Sequence, residues 1–185
     1  MKKKIVVSVI IIIVIFIGWY LFPKHYSETL QGVYYQLGDT EISESITIHL
    51  DGKLQNYITG KKSFEGTIDF ETDGIQIVPE DRTNLQLIIN IGEQGTIFSN
   101  HRNGKETILD LYVVGAVHAS EDFSKITIMV NSVDSGGNSG SWSGSEGYMI
   151  SVPADTREEA LNISEELIPH VKRQGNSFIY HNDAE

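Results

Sequence analysis

Ser45-Ile46-Thr47-Ile48-His49-Leu50-Asp51-Gly52-Lys53-Leu54-Gln55-Asn56-Tyr57-Ile58-Thr59 is the stretch on which the fold turns. Ile46, Ile48 and Leu50 alternate with Thr47 and His49, the period-two pattern of a strand with one buried face. Asp51-Gly52 between two such runs predicts a tight hairpin turn, with Lys53 to Thr59 running back as the next strand. The same device recurs along the chain. Ser63 to Phe70 alternates through Phe64, Ile68 and Phe70, and Asp73-Gly74 predicts a turn into Ile75-Gln76-Ile77-Val78. Leu85 to Ile91 and Gly95 to Ser99 read as strands, and Asn103-Gly104 as a turn into Thr107 to Val117. Lys125 to Asn131 and Tyr148 to Val152 complete the series, which begins upstream at Val33 to Leu37. Short strands joined by tight turns imply an antiparallel meander, either barrel-like or a sandwich.

One helix follows the strands, near 156–173. Thr156 with Glu159 forms a capping box, and Ala160, Ile163, Leu167 and Val171 fall on one face at helical spacing. Acidic residues crowd its start and His170, Lys172 and Arg173 its end, as the helix dipole favours. Pro169 distorts or ends the last turn and Gly175 closes it; Phe178-Ile179-Tyr180 reads as a last strand. The fold class is therefore mainly β with one C-terminal helix. A meander that opens on Gly32-x-Tyr34-Tyr35 and closes with a helix resembles a lipocalin-type barrel in topology. Lipocalins usually carry Gly-x-Trp at that opening, and their later signatures do not occur here, so the resemblance extends to topology alone.

Ahead of the strands lies a different kind of segment. Met1-Lys2-Lys3-Lys4 precedes an uncharged run from Ile5 to Phe22, which includes Phe16, Trp19 and Tyr20 and stops at Pro23-Lys24. As a helix that run would be about 27 Å long, close to the roughly 30 Å of a bilayer's hydrocarbon core. The lysines before it keep the N-terminus cytoplasmic, and Trp19 and Tyr20 suit the far headgroup layer. A cleaved signal would need a shorter apolar core and small residues before the cut, whereas Gly18 is followed by Trp-Tyr-Leu-Phe-Pro. The reading is an anchor over 1–24, a short tether over 25–29, and an extracytoplasmic domain over 30–185.

From His25 onward the chain carries all 25 acidic residues and 10 of the 14 basic ones, a net charge of about −15 with histidine neutral. Such a surface repels nucleic acid, and no nucleic-acid partner is expected. The chain has no cysteine, which excludes disulfides, thiol catalysis and cysteine metal sites. Membrane lipid, through the N-terminal helix, and an envelope protein are the expected partners.

Three constellations could carry chemistry. Asp69, Glu71 and Asp73-Gly74, with Glu80 at the twelfth position, resemble an EF-hand calcium loop, although both flanks read as strand rather than helix. Gly137-Asn138-Ser139-Gly140-Ser141 resembles the nucleophile segment of trypsin-like proteases, and His118 their histidine segment. The separation of about 21 residues is far too short for that family's two barrels. The six histidines show no helical zinc spacing, although His49 and His118 could meet in space. The loop Ser132 to Gly147 is long for a β domain, and long loops are often functional. Trp142 at its centre is either tucked against the barrel or offered to a partner; tucking is favoured because exposure forfeits apolar burial. Trp142, Asn138, Ser139 and Ser141 are the expected partner contact, and no catalytic residue is assigned. The leading functional reading is a non-catalytic binding or accessory module of a bacterial cell envelope. A small-molecule or lipid-binding barrel lined by residues such as Tyr34, Phe64, Phe70 and Tyr112 is the alternative, and an envelope hydrolase the least favoured.

Overall fold

A computed structural model describes residues 2–101, 110–133 and 139–180. Helix α1 spans Lys2–Leu21. Eight antiparallel strands follow: β1 (Lys24–Gln36), β2 (Ser43–Asn56), β3 (Lys62–Thr72), β4 (Gln86–Asn90), β5 (Gly95–His101), β6 (Asp110–Ala119), β7 (Ile126–Val130) and β8 (Tyr148–Val152). Each pairs with the next, and β8 pairs back onto β1 through Val33–Gln36, closing the barrel. Helix α2 (Arg157–Leu167) and a hairpin of β9 (Val171–Gln174) and β10 (Ser177–Tyr180) complete the chain. The mainly β fold with one C-terminal helix is as the patterning implies, and of barrel and sandwich it is the barrel.

The opening stretch is built differently from the hairpin expected. Strand β2 runs straight through Asp51-Gly52, paired on one side with β1 (Ser27↔Asp51, Tyr26↔Gly52) and on the other with β3 (Asp51↔Thr67, Gly52↔Gly66). The inward positions continue unbroken from Leu50 through Gly52 to Leu54. A two-residue turn would instead have put Leu50 and Lys53 on one face, so the alternation itself opposes a turn here. Gly52 and Gly66 lie Cα against Cα beneath the Phe64 ring, and a Cβ on Gly52 would stand 2.5 Å from the Glu65 carbonyl oxygen and 2.8 Å from Phe64 Cζ. The glycine serves close approach, not a reversal.

Other boundaries shift as well. Residues 25–29, read as a tether, are strand β1, so only Phe22 and Pro23 separate α1 from the barrel. Asp73-Gly74 does bend the chain, with the Gly74 amide donating to the Thr72 carbonyl at 3.1 Å and Gly74 at φ 88°. Ile75 to Val78, however, form no strand: they belong to a loop, 73–85, in which Ile77 and Leu85 are buried against the barrel interior. Asn103-Gly104 lies outside the described residues. Helix α2 ends at Leu167 instead of near 173, because Ile168 is already extended (φ −83°, ψ 118°) ahead of Pro169. Lys172 and Arg173 consequently sit on β9, and Gly175 (φ 63°) turns the β9–β10 hairpin.

Two cores result. The interior holds Ile46, Ile48, Leu50, Phe64, Ile68, Leu87, Ile97, Val117, Ile128 and Ile150, all nearly inaccessible to solvent. Outside the wall formed by β1, β7 and β8, a second core packs Val33, Tyr35, Leu37, Met129 and Met149 against Ala160, Leu161 and Ile163 of α2. The helix is capped by Thr156, whose hydroxyl accepts from the Glu159 amide at 3.3 Å, while the Glu159 carboxylate accepts from the Asp155 amide at 2.9 Å.

Candidate functional site

A meander alternates its connections between two ends, and this sorts the loops. The short connections 57–61, 91–94 and 120–125 share the end at which α1 enters. At the other end lie the connections 37–42 and 73–85, the His101↔Asp110 pair where β5 meets β6, and the described parts of 131–147. That second end, the far rim, carries the longer connections.

The near end is closed by Phe123. Its ring is fully buried, stacks on Phe64 with centroids 5.1 Å apart and meets Tyr26 edge-on at 5.3 Å. Asp122 holds this loop by accepting from the hydroxyls of Ser120 and Ser124, both at 2.7 Å, and from the Ser124 amide at 3.1 Å. Those bonds hold its carboxyl well below the usual carboxylate range. At the far rim, loop 73–85 folds inward, and the Arg82 guanidinium lies 5.2 Å from the centre of the Tyr112 ring. The aromatic residues expected to line a cavity are largely engaged with one another. Tyr34 stacks on Tyr148 at 5.4 Å, Phe64 is closed against Phe123, and Tyr112 lies under Arg82. Phe70 borders the groove beneath loop 73–85. Among the described residues, the buried side chains of the interior pack into one continuous apolar cluster.

Only part of the expected partner contact falls among the described residues. Asn138 lies outside the described residues. Ser139 donates to the Val113 carbonyl and accepts from the Asn131 amide at 3.2 Å, and the Ser141 carbonyl accepts from the Ser132 hydroxyl at 3.0 Å. Trp142 is half-buried against the second core, over Gly147, where an added Cβ would stand 2.5 Å from the indole nitrogen. Its N–H is buried without a hydrogen-bond partner among the described residues. Trp142 is therefore the tucked residue of the two alternatives, fastened to the barrel beside β8.

The acidic residues proposed for calcium do not converge. Asp69 and Glu71 point outward from β3, where an EF-hand would need a loop entered from a helix. Glu71 accepts from or pairs with His49 Nε2 at 3.2 Å, and Asp73 and Glu80 stand at opposite ends of a stretch of loop 73–85. Among the described residues no group of three histidine, aspartate or glutamate side chains could hold a metal ion.

The residues of a hydrolase are likewise scattered. His118 sits near the end of β6, five residues beyond the Val113 carbonyl that Ser139 touches, roughly 15 Å along the strand. His49 is on β2, four strands around the eight-stranded barrel from β6, with its ring on Thr29 and Glu71, so it does not meet His118. Burial pushes the His118 pKa below its ordinary value. One hydroxyl cluster escaped the sequence reading: Ser164 Oγ lies 2.7 Å from Tyr35 Oη, 2.7 Å from Thr127 Oγ1 and 2.8 Å from Ser151 Oγ. All four residues are buried with no base among the contacts, and the cluster fixes the register of α2 on the barrel wall. Its only sequence signal was small polar residues, Ser164 on α2 and Thr127 and Ser151 alternating with the interior residues of β7 and β8.

Helix α1 is long and apolar enough to cross a membrane, with a 19-residue span of mean hydropathy 2.6 and none of it buried in the protein. Ile5 and Phe16 are exposed along it, and Trp19, Tyr20 and Phe22 crowd its end, where Lys24 Nζ stands 4.0 Å above the Trp19 ring. No family model matches the chain, no curated protein matches it, and no solved structure matches it.

Proposed function

We propose that the chain is a single-pass membrane protein, with its N-terminus cytoplasmic, whose barrel serves as a non-catalytic binding or accessory module on the extracytoplasmic side of a bacterial cell envelope. One observation carries the reading. The apolar helix enters the end of the barrel with the short connections, so the longer connections form a rim facing away from the bilayer. A closed, packed barrel supplies a rigid support for such a rim. The scattering of histidine, serine and acidic residues supports binding over hydrolysis. A small-molecule or lipid ligand would need room inside the barrel, and the side chains packed there favour contact through the surface instead.

The test is photo-crosslinking of the full-length protein in its native membrane, with the photoreactive residue placed at Glu80 or Ser141 on the rim, or at Glu65 on the barrel side. A discrete adduct from the rim positions, absent from position 65, is expected. Adducts of equal yield at all three positions, or none at the rim, would overturn the reading.

A further inference from the structure

The loop beside the helix carries a feature that a soluble connection does not need. Residues 57–61 join β2 to β3 at the near end. The Gly60 amide donates to the Tyr57 carbonyl at 3.0 Å and the Tyr57 amide to the Lys61 carbonyl at 2.9 Å, with Gly60 at φ 82°, so this is a tight, ordered turn. Turn tips are normally Asn, Asp, Ser or Gly. Here the tip is Ile58, 79% exposed, the most exposed large apolar side chain among the described residues and more exposed than any in α1. Tyr57 stands beside it, half-exposed, with its hydroxyl 3.2 Å from Ser63 Oγ.

The position of the tip gives this exposure a meaning. Asn56 Nδ2 donates to the Tyr20 carbonyl at 3.3 Å, in the last turn of α1. Ile58 is two residues farther on, within about 7 Å of chain. The tip therefore lies beside the Trp19-Tyr20 end of the helix, the level at which aromatic side chains meet the headgroup layer. The loop is also braced: Lys61 Nζ pairs with Glu93 at 2.7 Å, and Lys62 Nζ donates to the Glu121 carbonyl at 3.1 Å, tying the three near-end connections together.

We infer that the 57–61 turn is a second membrane contact, with Ile58 and Tyr57 inserted among the lipids at headgroup depth and the near end of the barrel resting on the bilayer. This rests on α1 spanning that bilayer, and the occupant is the lipid surface around α1. Lys24, Lys61 and Lys62 on the same end are offset by Glu93, Glu121 and Asp122, so no basic face forms there, and the contact is apolar and requires no anionic lipid. Its consequence is orientation: a helix and a loop together hold the barrel at a fixed tilt, which a single flexible tether would not.

The chain has no native cysteine, so single-cysteine variants report one site each. Full-length Ile58→Cys, Asp81→Cys and Ile11→Cys, labelled with a polarity-sensitive fluorophore, are reconstituted into phosphatidylcholine vesicles holding a quencher either at headgroup level or at mid-chain. Expected are blue-shifted emission and headgroup-level quenching at position 58, mid-chain quenching at position 11, and neither at position 81. Quenching at 11 but none at 58 would overturn the second contact while leaving the anchor in place. Absence of quenching at 11 would overturn the anchor, and the second contact with it. Loss of quenching at 58 when Tyr57 is changed to Ser would show that the aromatic neighbour shares the insertion; retention would reduce the contact to Ile58.

Discussion

Replacing Gly52 with alanine separates a strand from a turn at the centre of the fold. The Cβ would stand 2.5 Å from the Glu65 carbonyl oxygen, 2.6 Å from Gly66 Cα and 2.8 Å from Phe64 Cζ. The first two are backbone atoms in paired strands and cannot move aside, so the clash has no cheap relief. Overpacking a core costs about 1–3 kcal/mol, and fixed backbone neighbours place Gly52→Ala near the upper figure, about 3 kcal/mol. For a chain of this size that is a fall in Tm of roughly 6–12 °C. The reference is Gly74, at φ 88° with open space around it, where alanine meets only the left-handed penalty of about 1–2 kcal/mol. Asparagine distinguishes the two causes, since it tolerates the left-handed conformation but is larger. Thermal unfolding of the full-length protein in detergent should show Gly74→Asn milder than Gly74→Ala, and Gly52→Asn at least as damaging as Gly52→Ala. If Gly52→Asn is instead the better tolerated of its pair, Gly52 lies in a turn and the continuous β2 strand is refuted.

Three further expectations follow from the packing. Ser164→Ala removes the hydroxyl at the centre of the Tyr35, Thr127 and Ser151 cluster and should destabilise by about 2 kcal/mol through the groups left unsatisfied, read as a lower urea midpoint; an unchanged midpoint would remove the cluster's role in seating α2. Burial lowers the His118 pKa below its ordinary 6.5, so the unfolded chain binds that proton before the folded barrel does: this contribution to stability is full above pH 6.5 and is lost as pH falls through the folded value. His118→Gln should flatten the slope of stability against pH below 6.5, and an identical slope in both proteins would refute it. Trp142→Phe deletes a buried N–H that has no acceptor among the described residues and should leave stability within about 1 kcal/mol, whereas Trp142→Ala, which empties the site over Gly147, should cost about 3 kcal/mol or more by the same urea titration.

Much of the barrel was legible because its wall obeys the period-two rule. Ile46, Ile48 and Leu50 alternate onto one face of their strand, Ile126, Ile128 and Val130 do the same in theirs, and all six belong to the interior cluster. Asp51-Gly52 misled because a local turn rule was set against a non-local fact: β1 and β3 pair with β2 on both sides, and that ladder outweighs the turn preference of two residues. The phase of Leu50, Gly52 and Leu54 carried the correction in the sequence. Ile75 to Val78 misled for a related reason, since a short apolar run can plug the end of a barrel as readily as join its wall. The far rim followed from strand parity once the strands were known, whereas the neighbours of Trp142 and the joining of Asn56 to Tyr20 depend on tertiary placement that no local pattern encodes.

The central claim is that the barrel stands on one side of a membrane with its rim outward. Single cysteines at Lys3 and Asp81, probed in intact cells with a membrane-impermeant maleimide, test it directly. Position 81 should label without permeabilisation and remain with the membrane fraction, and position 3 should label only after the membrane is opened. Labelling of position 3 in intact cells, protection of position 81, or release of the position 81 product into the medium would contradict it.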